Sequence, residues 1–393
     1  MKKAVQFGAG NIGRGFTGQL FTESGYEVVF VDVVTEVVAL LNERREYTIR
    51  YAKKTPENIP IRNVRAVNGR DLEVVSDEIA DADLLCTAVG VNVLPAVAPG
   101  IARGVQKRAD KFGDKPLNII ICENLAHASE FLHEKVKEAL PAEYHGYLDR
   151  NVGFVESVVA RMVPIMTEEQ KREDPLLVVV EPFKKLPIDR AAWIGEIPEI
   201  AGVQARDNFQ GYVDRKLFGH NMGHAISAYL GYLRGYEYIY QSVGDPEIFK
   251  VTRGAMMETG QAMIRKWGFD PAEHEEFVDD LLERFGNEAL GDQVARVGKD
   301  LLRKLGPEDR LIGGAKICVE QGVSPDNVCK GIAAALLYDE PADPTAPQVQ
   351  AYIKEHGFAQ TLSDMCGLNG ASELAQAALA RIPVVKKEFS RRG

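Results

Sequence analysis

No stretch of this chain approaches the ~18 uninterrupted apolar residues that a membrane helix requires. Its start, Met1-Lys2-Lys3, runs into a glycine cluster within a few residues, which leaves no room for the apolar segment of a signal peptide. Cysteine is sparse: Cys86, Cys122, Cys318, Cys329 and Cys366 are scattered and form no C-x-x-C pair. That pattern suggests neither a disulfide framework nor a zinc knuckle, and it predicts reduced thiols in a cytoplasmic protein with no metal site. Excess positive charge is missing as well. Against 57 Asp+Glu stand 47 Lys+Arg, a formal net charge of -10, so nucleic acid and anionic membrane surfaces are repelled on average.

What remains is ordinary globular composition, 45% hydrophobic and 26% charged, with low complexity confined to a Pro-rich loop over 340–347. At 393 residues the chain exceeds one ordinary core, and a prior of about 100–200 residues per domain predicts two domains.

Residues 4–7 form a short apolar run that ends in Gly8-Ala9-Gly10-Asn11-Ile12-Gly13-Arg14-Gly15. From there Ile12, Phe16 and Leu20 recur at helical spacing, with Gly25 as a C-terminal cap. A second run, Val28-Val29-Phe30-Val31, is continuous rather than alternating, as expected of a parallel strand covered on both faces, and it ends at Asp32. The opening is therefore β-α-β. Similar runs at 84–89 and 118–122, separated by a helical stretch over 93–112, extend the parallel sheet, and 176–181 reads as a further strand. Beyond about residue 205 the pattern turns to long helical periodicity. The expected fold is an α/β N-terminal Rossmann-type domain over 1–195 followed by a mainly α-helical C-terminal domain over 196–393.

Gly8, Gly10 and Gly13 follow a strand, open a helix and precede an acidic residue at the end of the second strand, which gives the G-x-G-x-x-G pattern its meaning. The first glycine permits the tight turn, the second lets backbone approach a pyrophosphate, and the third lets helix pack on strand. Unpaired N–H groups at the helix start face the phosphates. Asp32 sits where a carboxylate accepts from ribose hydroxyls and repels a 2′-phosphate, so NAD is expected over NADP. Arg14 is placed either at the pyrophosphate or in solvent.

An alcohol-oxidising enzyme needs a base for the hydroxyl proton and a donor for the developing oxyanion. In Arg215-Lys216-Leu217-Phe218-Gly219-His220-Asn221-Met222-Gly223-His224, the side chains of Lys216, Asn221 and His224 fall within an arc of about 140° on an α-helix. By itself this is open to a plainer reading, since Lys and Asn near a helix start are commonly solvated and a His beside apolar residues commonly belongs to the core.

Lys-x4-Asn-x2-His at 216, 221 and 224, downstream of Gly-Ala-Gly-Asn-Ile-Gly-Arg-Gly, resembles the polyol-specific long-chain dehydrogenase family. Further matches are Thr87-Ala88-Val89-Gly90, the run 118–124, Arg215-Lys216-Leu217-Phe218, Gly223-His224-Ala225-Ile226, Arg296-Val297-Gly298 and Leu302-Arg303-Lys304-Leu305, so the resemblance covers essentially the whole chain. It implies a metal-independent hydride transfer between a substrate carbinol and NAD, with mannitol 1-phosphate and fructose 6-phosphate as the expected pair. It makes Lys216 the general base, Asn221 and Asn124 the holders of the alkoxide, and His224 the residue that orients substrate. It adds Asn11, Ile12 and Thr87 to Gly8, Gly10, Gly13 and Asp32 as cofactor-binding residues. One departure stands out: relatives carry an aspartate where this chain has Ala160, which removes an expected partner of Arg161.

Over 296–304 the chain holds Arg296, Lys299, Arg303 and Lys304 against the single Asp300, a basic island in an acidic protein that points to an anionic substrate. The resemblance places Arg296 and Lys304 on substrate hydroxyls, and their spacing predicts one helix face. Arg303 is then the candidate for the phosphate, which a guanidinium binds bidentately. A solvated basic helix face is the competing account. The expected partner is therefore a small sugar phosphate or polyol phosphate, with no nucleic acid and no membrane, and a monomer is preferred over a dimer. An unphosphorylated polyol or a hexuronate is the alternative substrate. A non-catalytic NAD-responsive regulator has no use for Lys216, Asn221 and His224 together.

Overall fold

Six parallel strands form the principal sheet of the computed structural model, which describes residues 2–125, 127–164 and 166–390. They are β1 (Lys2–Phe7), β2 (Tyr26–Asp32), β3 (Val64–Asn68), β4 (Leu84–Thr87), β5 (Leu117–Ile121) and β6 (Val152–Glu156). Their order, β3-β2-β1-β4-β5-β6, is that of a Rossmann sheet, with the chain reversing direction across it between β1 and β4. In register, Val5 faces Val29 on one side and Leu85 on the other. Continuous apolar runs suit these strands because each face has its own core. Val5, Val29, Leu85 and Ile119 join one cluster, while Ala4, Val28, Cys86 and Ile120 join the other.

The sequence pattern did not mark β3 or β6, nor the hairpin Glu46–Tyr51 and Glu57–Arg62. That hairpin changes the place of the 176–181 run. Val178–Val180 pairs in parallel with Glu46–Tyr51 in a separate three-stranded sheet, not in the principal one. Two buried arginines clamp this sheet to the glycine turn. Arg14 donates from Nε to the Ala9 carbonyl at 2.6 Å and from a terminal nitrogen to the Leu176 carbonyl at 2.6 Å, so it is buried and not solvated. Arg161 donates to the carbonyls of Glu181 and Gly15, both at 2.8 Å, and to Gln19 Oε1 at 2.8 Å. Backbone oxygens thus serve Arg161 beside Ala160.

The chain divides into two compact units, Met1–Phe209 and Gln210–Gly393. Residues 196–209 stay with the first because Val203–Arg206 pairs in parallel with Leu186–Asp189.

The second unit is helical. Its longest helix, Pro246–Trp267, begins where Asp245 accepts from the Glu247 amide and ends at Gly268, whose φ of 71° makes the left-handed turn. Two features of this unit depart from the simple helical reading. Between the helices Phe209–Arg215 and Met222–Arg234, residues Lys216–Asn221 form a π turn, so the angular arithmetic of an α-helix does not apply across them. Arg296 and Lys304 do not share a helix either. Val294–Gly298 and Leu301–Lys304 are separate, broken at Asp300, whose φ is 69°. The Pro-rich loop holds the break: Asp343 accepts from the Asp300 amide at 2.5 Å, and Thr345 Oγ1 accepts from the Leu302 amide at 3.0 Å. Among the described residues no helix is long and apolar enough to cross a membrane, and no group of three or more His, Cys, Asp or Glu could hold a metal ion.

Candidate active site

In the first unit the glycine turn joins β1 to its helix at the carboxyl edge of the sheet. Gly8 has a φ of 89°, and its amide donates to the Val31 carbonyl at 2.9 Å. A Cβ on Gly13 would lie 2.0 Å from the Gly8 carbonyl oxygen, so only glycine lets the helix start pack on the turn. A Cβ on Gly10 would meet nothing within 4 Å, and this open side is where a ligand can approach backbone. Asn11 is exposed and Ile12 half-buried beside it.

Asp32 ends β2 with both carboxylate oxygens engaged. Oδ2 accepts from the Ala9 amide at 2.7 Å and Oδ1 from the Val34 amide at 2.9 Å. Between Gly10 and Asp32 lies a largely apolar cavity of about 270 Å³ bounded by Gly8, Val33, Ala88 and Val89. Thr87 ends β4, and its carbonyl accepts from the Cys122 amide at 2.9 Å. Glu123, which the sequence did not single out, accepts from the amides of Val89 at 2.8 Å and Gly90 at 2.9 Å. Burial raises its pKa despite these donors. Its signal was its place two residues beyond β5, next to the exposed Asn124.

In the second unit Lys216, Asn221 and His224 follow one another along the π turn and the helix after it. His220, inside the same turn, is buried and neutral. Burial foremost, then the charges of Arg284, His224, Lys216 and Arg310, push its pKa well below the ordinary value. His224 Nε2 lies 2.7 Å from Asp292 Oδ2, and Asp292 Oδ1 accepts from Arg296 Nε at 2.9 Å. Asp292 was not foreseen, although its placement four residues before Arg296 is the ordinary signal of a helical ion pair.

The basic segment is compact despite its break. Arg303 Nε donates to Asp300 Oδ2 at 2.5 Å, with a terminal nitrogen 3.3 Å from Asp309 Oδ2. Arg310 Nε donates to the other Asp309 oxygen at 2.8 Å. Lys304 is 5% exposed. Burial, then the positive charges of Arg310 and Arg303, push its ammonium down to about 8. Arg310 also acts on His220, which links this segment electrostatically to the Lys216 turn.

Sheet order and glycine turn together define a Rossmann-type oxidoreductase with a helical second unit. Residues 2–202 match the family model of the mannitol dehydrogenase Rossmann domain, and residues 208–379 that of the mannitol dehydrogenase C-terminal domain. The chain belongs to the mannitol dehydrogenase family. A mannitol-1-phosphate 5-dehydrogenase of Brevibacillus brevis is 42% identical over 373 residues, covering 95% of each chain. One of Bacillus subtilis is 41% identical over 380 residues, covering 96% of this chain and 99% of the relative. The fold is shared with a substrate-free crystal structure of D-sorbitol dehydrogenase, at TM-score 0.82 and 16% identity over 98% of this chain and 93% of that one. It is also shared with Pseudomonas fluorescens mannitol 2-dehydrogenase, solved as a ternary complex with NAD and D-mannitol, at TM-score 0.71 and 18% identity over 98% of this chain and 91% of that one.

Proposed function

We propose that this protein is an NAD-dependent dehydrogenase that interconverts mannitol 1-phosphate and fructose 6-phosphate, with Lys216 as general base. The observation that carries the phosphate is the burial of Lys304, 5% exposed, within the positive fields of Arg310 and Arg303. A buried ammonium crowded by two guanidiniums costs free energy, and a phosphate dianion relieves that cost directly. A neutral hexitol does not. Arg303 is assigned to the phosphate, with Lys304 beside it, and Arg296 to a substrate hydroxyl.

The glycine turn fits NAD. Gly8, Gly10, Asn11, Ile12 and Gly13 would hold the pyrophosphate at the helix start, where backbone N–H groups lack partners. Asp32 accepts from two amides, and a carboxylate has about four acceptor positions, which leaves capacity for ribose hydroxyls. Its charge disfavours a 2′-phosphate. Val33, 52% exposed, offers an apolar surface to a base beside it. Thr87, at the end of β4, completes the set. NAD, when bound, supplies the hydride acceptor for the carbinol carbon.

The chain's own residues manage the proton and the oxygen. Neutral Lys216 takes the hydroxyl proton, and Asn221 donates to the oxygen as its charge develops. Asn124 is assigned to the same oxygen, and His224 orients the polyol chain.

The test is to follow NADH absorbance with mannitol 1-phosphate, mannitol and glucitol 6-phosphate supplied with NAD, and with a hexuronate supplied with NADH, in parallel. Mannitol 1-phosphate should turn over far faster than the rest. Turnover of only an unphosphorylated compound contradicts the proposal.

A further inference from the structure

Asp292 lies just before the short helix Val294–Gly298, and its side chain is 9% exposed. Its two oxygens face different residues. Oδ2 is 2.7 Å from His224 Nε2, and Oδ1 accepts from Arg296 Nε at 2.9 Å as well as from a terminal nitrogen of the same guanidinium. Burial alone would raise its pKa, yet the contacts with His224 and Arg296 hold the carboxyl below the ordinary carboxylate range. It is therefore ionised at neutral pH.

An ionised carboxylate fixes where the imidazole carries its proton. Two lone pairs 2.7 Å apart repel, so the ionised carboxylate favours a proton on Nε2 through close electrostatic contact, although Oδ2 lies off the hydrogen-bonding axis of that nitrogen, and Nδ1 is the nitrogen left for a substrate hydroxyl. The ring plane is fixed as well. Phe285 stacks on it with centroids 4.7 Å apart and planes 11° apart. Asp292 itself is anchored by backbone: its carbonyl accepts from the Ile239 amide at 2.9 Å, and the next residue, Gln293, bridges to Tyr238.

We propose that Asp292 is a positioning residue for catalysis. One carboxylate sets both the protonated nitrogen of His224 and the direction of the Arg296 guanidinium, so that two polar contacts to one polyol chain share a single anchor. The inference rests on the reading of His224 and Arg296 as substrate-facing residues. A plain structural ion pair would affect stability and every kinetic constant alike, whereas a positioning residue affects the polyol side alone.

Asp292→Asn keeps the shape and removes the charge. Losing charge-assisted contacts of this kind should lower kcat/KM for the polyol phosphate by ~10–100-fold, with the KM for the dinucleotide and the Tm close to wild type. Asp292→Glu, which keeps the charge, should recover part of the loss. In a His224→Asn, Arg296→Gln background, Asp292→Asn should cost little more. Wild-type kcat/KM in Asp292→Asn while His224→Asn and Arg296→Gln are impaired overturns the inference but spares the site. Equal losses on both substrates together with a lower Tm overturn it too. Wild-type behaviour of both His224→Asn and Arg296→Gln overturns the site reading and this inference with it. Should Asp292→Asn fail to fold, ¹⁵N chemical shifts of the His224 imidazole in the intact protein decide the matter: protonation at Nε2 is expected, and a proton on Nδ1 alone overturns the proposal.

Discussion

Asp32 Oδ2 accepts a hydrogen bond from the Ala9 amide at 2.7 Å, so the carboxylate that faces the cavity also holds the glycine turn in shape. Asp32→Ala should therefore act twice. It removes the ribose acceptor and the repulsion of a 2′-phosphate, raising the KM for NAD and narrowing the gap between NAD and NADP. It also frees two amides, lowering stability by about 1–2 kcal/mol. Steady-state kinetics with both dinucleotides and a denaturant titration read the two effects separately. A strong NADP preference in the unmodified protein would contradict the assignment.

Lys216→Ala should lower turnover by ~10²–10⁴, the range for removal of a general base, while NADH binding measured by fluorescence stays nearly unchanged. Asn221→Ala should cost turnover by about 10²–10³, as loss of one oxyanion donor does. Near-wild-type turnover in Lys216→Ala excludes it as the base.

Arg303 carries the claim that phosphate recognition lies in the basic segment. Its side chain is 51% exposed and is shared between Asp300 and Asp309, so a phosphate must compete with two carboxylates for it. Arg303→Ala should still lower kcat/KM on fructose 6-phosphate by well over tenfold, with weak activity on free fructose little changed. If both substrates fall together, or neither does, the phosphate is held elsewhere, with Lys299, Lys304 and Arg310 next to test.

Lys304 ties function to stability. Its ammonium is pushed down to about 8 from an ordinary 10.5, chiefly by burial. Between those values the unfolded chain keeps a proton that the folded chain has released, so stability rises with pH across that window. Below it both states are protonated and the full cost, roughly 3 kcal/mol, is present. Lys304→Met should therefore raise the Tm of the ligand-free protein by several degrees near neutral pH and flatten its alkaline pH dependence, while raising the KM for fructose 6-phosphate. An unchanged Tm in thermal melts near neutral pH contradicts this.

The parts of the fold legible in sequence were those written as continuous apolar runs. Val28–Val31 and Asn118–Cys122 announce strands covered on both faces, and Gly8, Gly10 and Gly13 announce the turn between strand and helix. Strand Val64–Asn68 was not legible, because it is short, only partly buried and carries Arg65. The hairpin over 46–62 alternates buried and exposed residues and includes Pro60 on an outer strand, and neither trait resembles the runs of the main sheet.

In the second unit local sequence placed Lys216, Asn221 and His224 on one helical run. It could not show the π turn, since nothing in Lys216–Asn221 distinguishes i→i+5 from i→i+4 bonding. The break at Asp300 was equally hidden, because the groups that stabilise it, Asp343 and Thr345, arrive from a loop distant in sequence. Pairings of that kind, His224 with Asp292 among them, exist only once the chain has folded.

The central claim is that this chain moves a hydride between NADH and a phosphorylated ketose. Purified protein incubated with NADH and fructose 6-phosphate, with the products identified by NMR, tests it most directly. Loss of NADH matched one-to-one by formation of mannitol 1-phosphate is the predicted result. No consumption of NADH with fructose 6-phosphate, alongside consumption with free fructose or a keto-hexuronate, would contradict it.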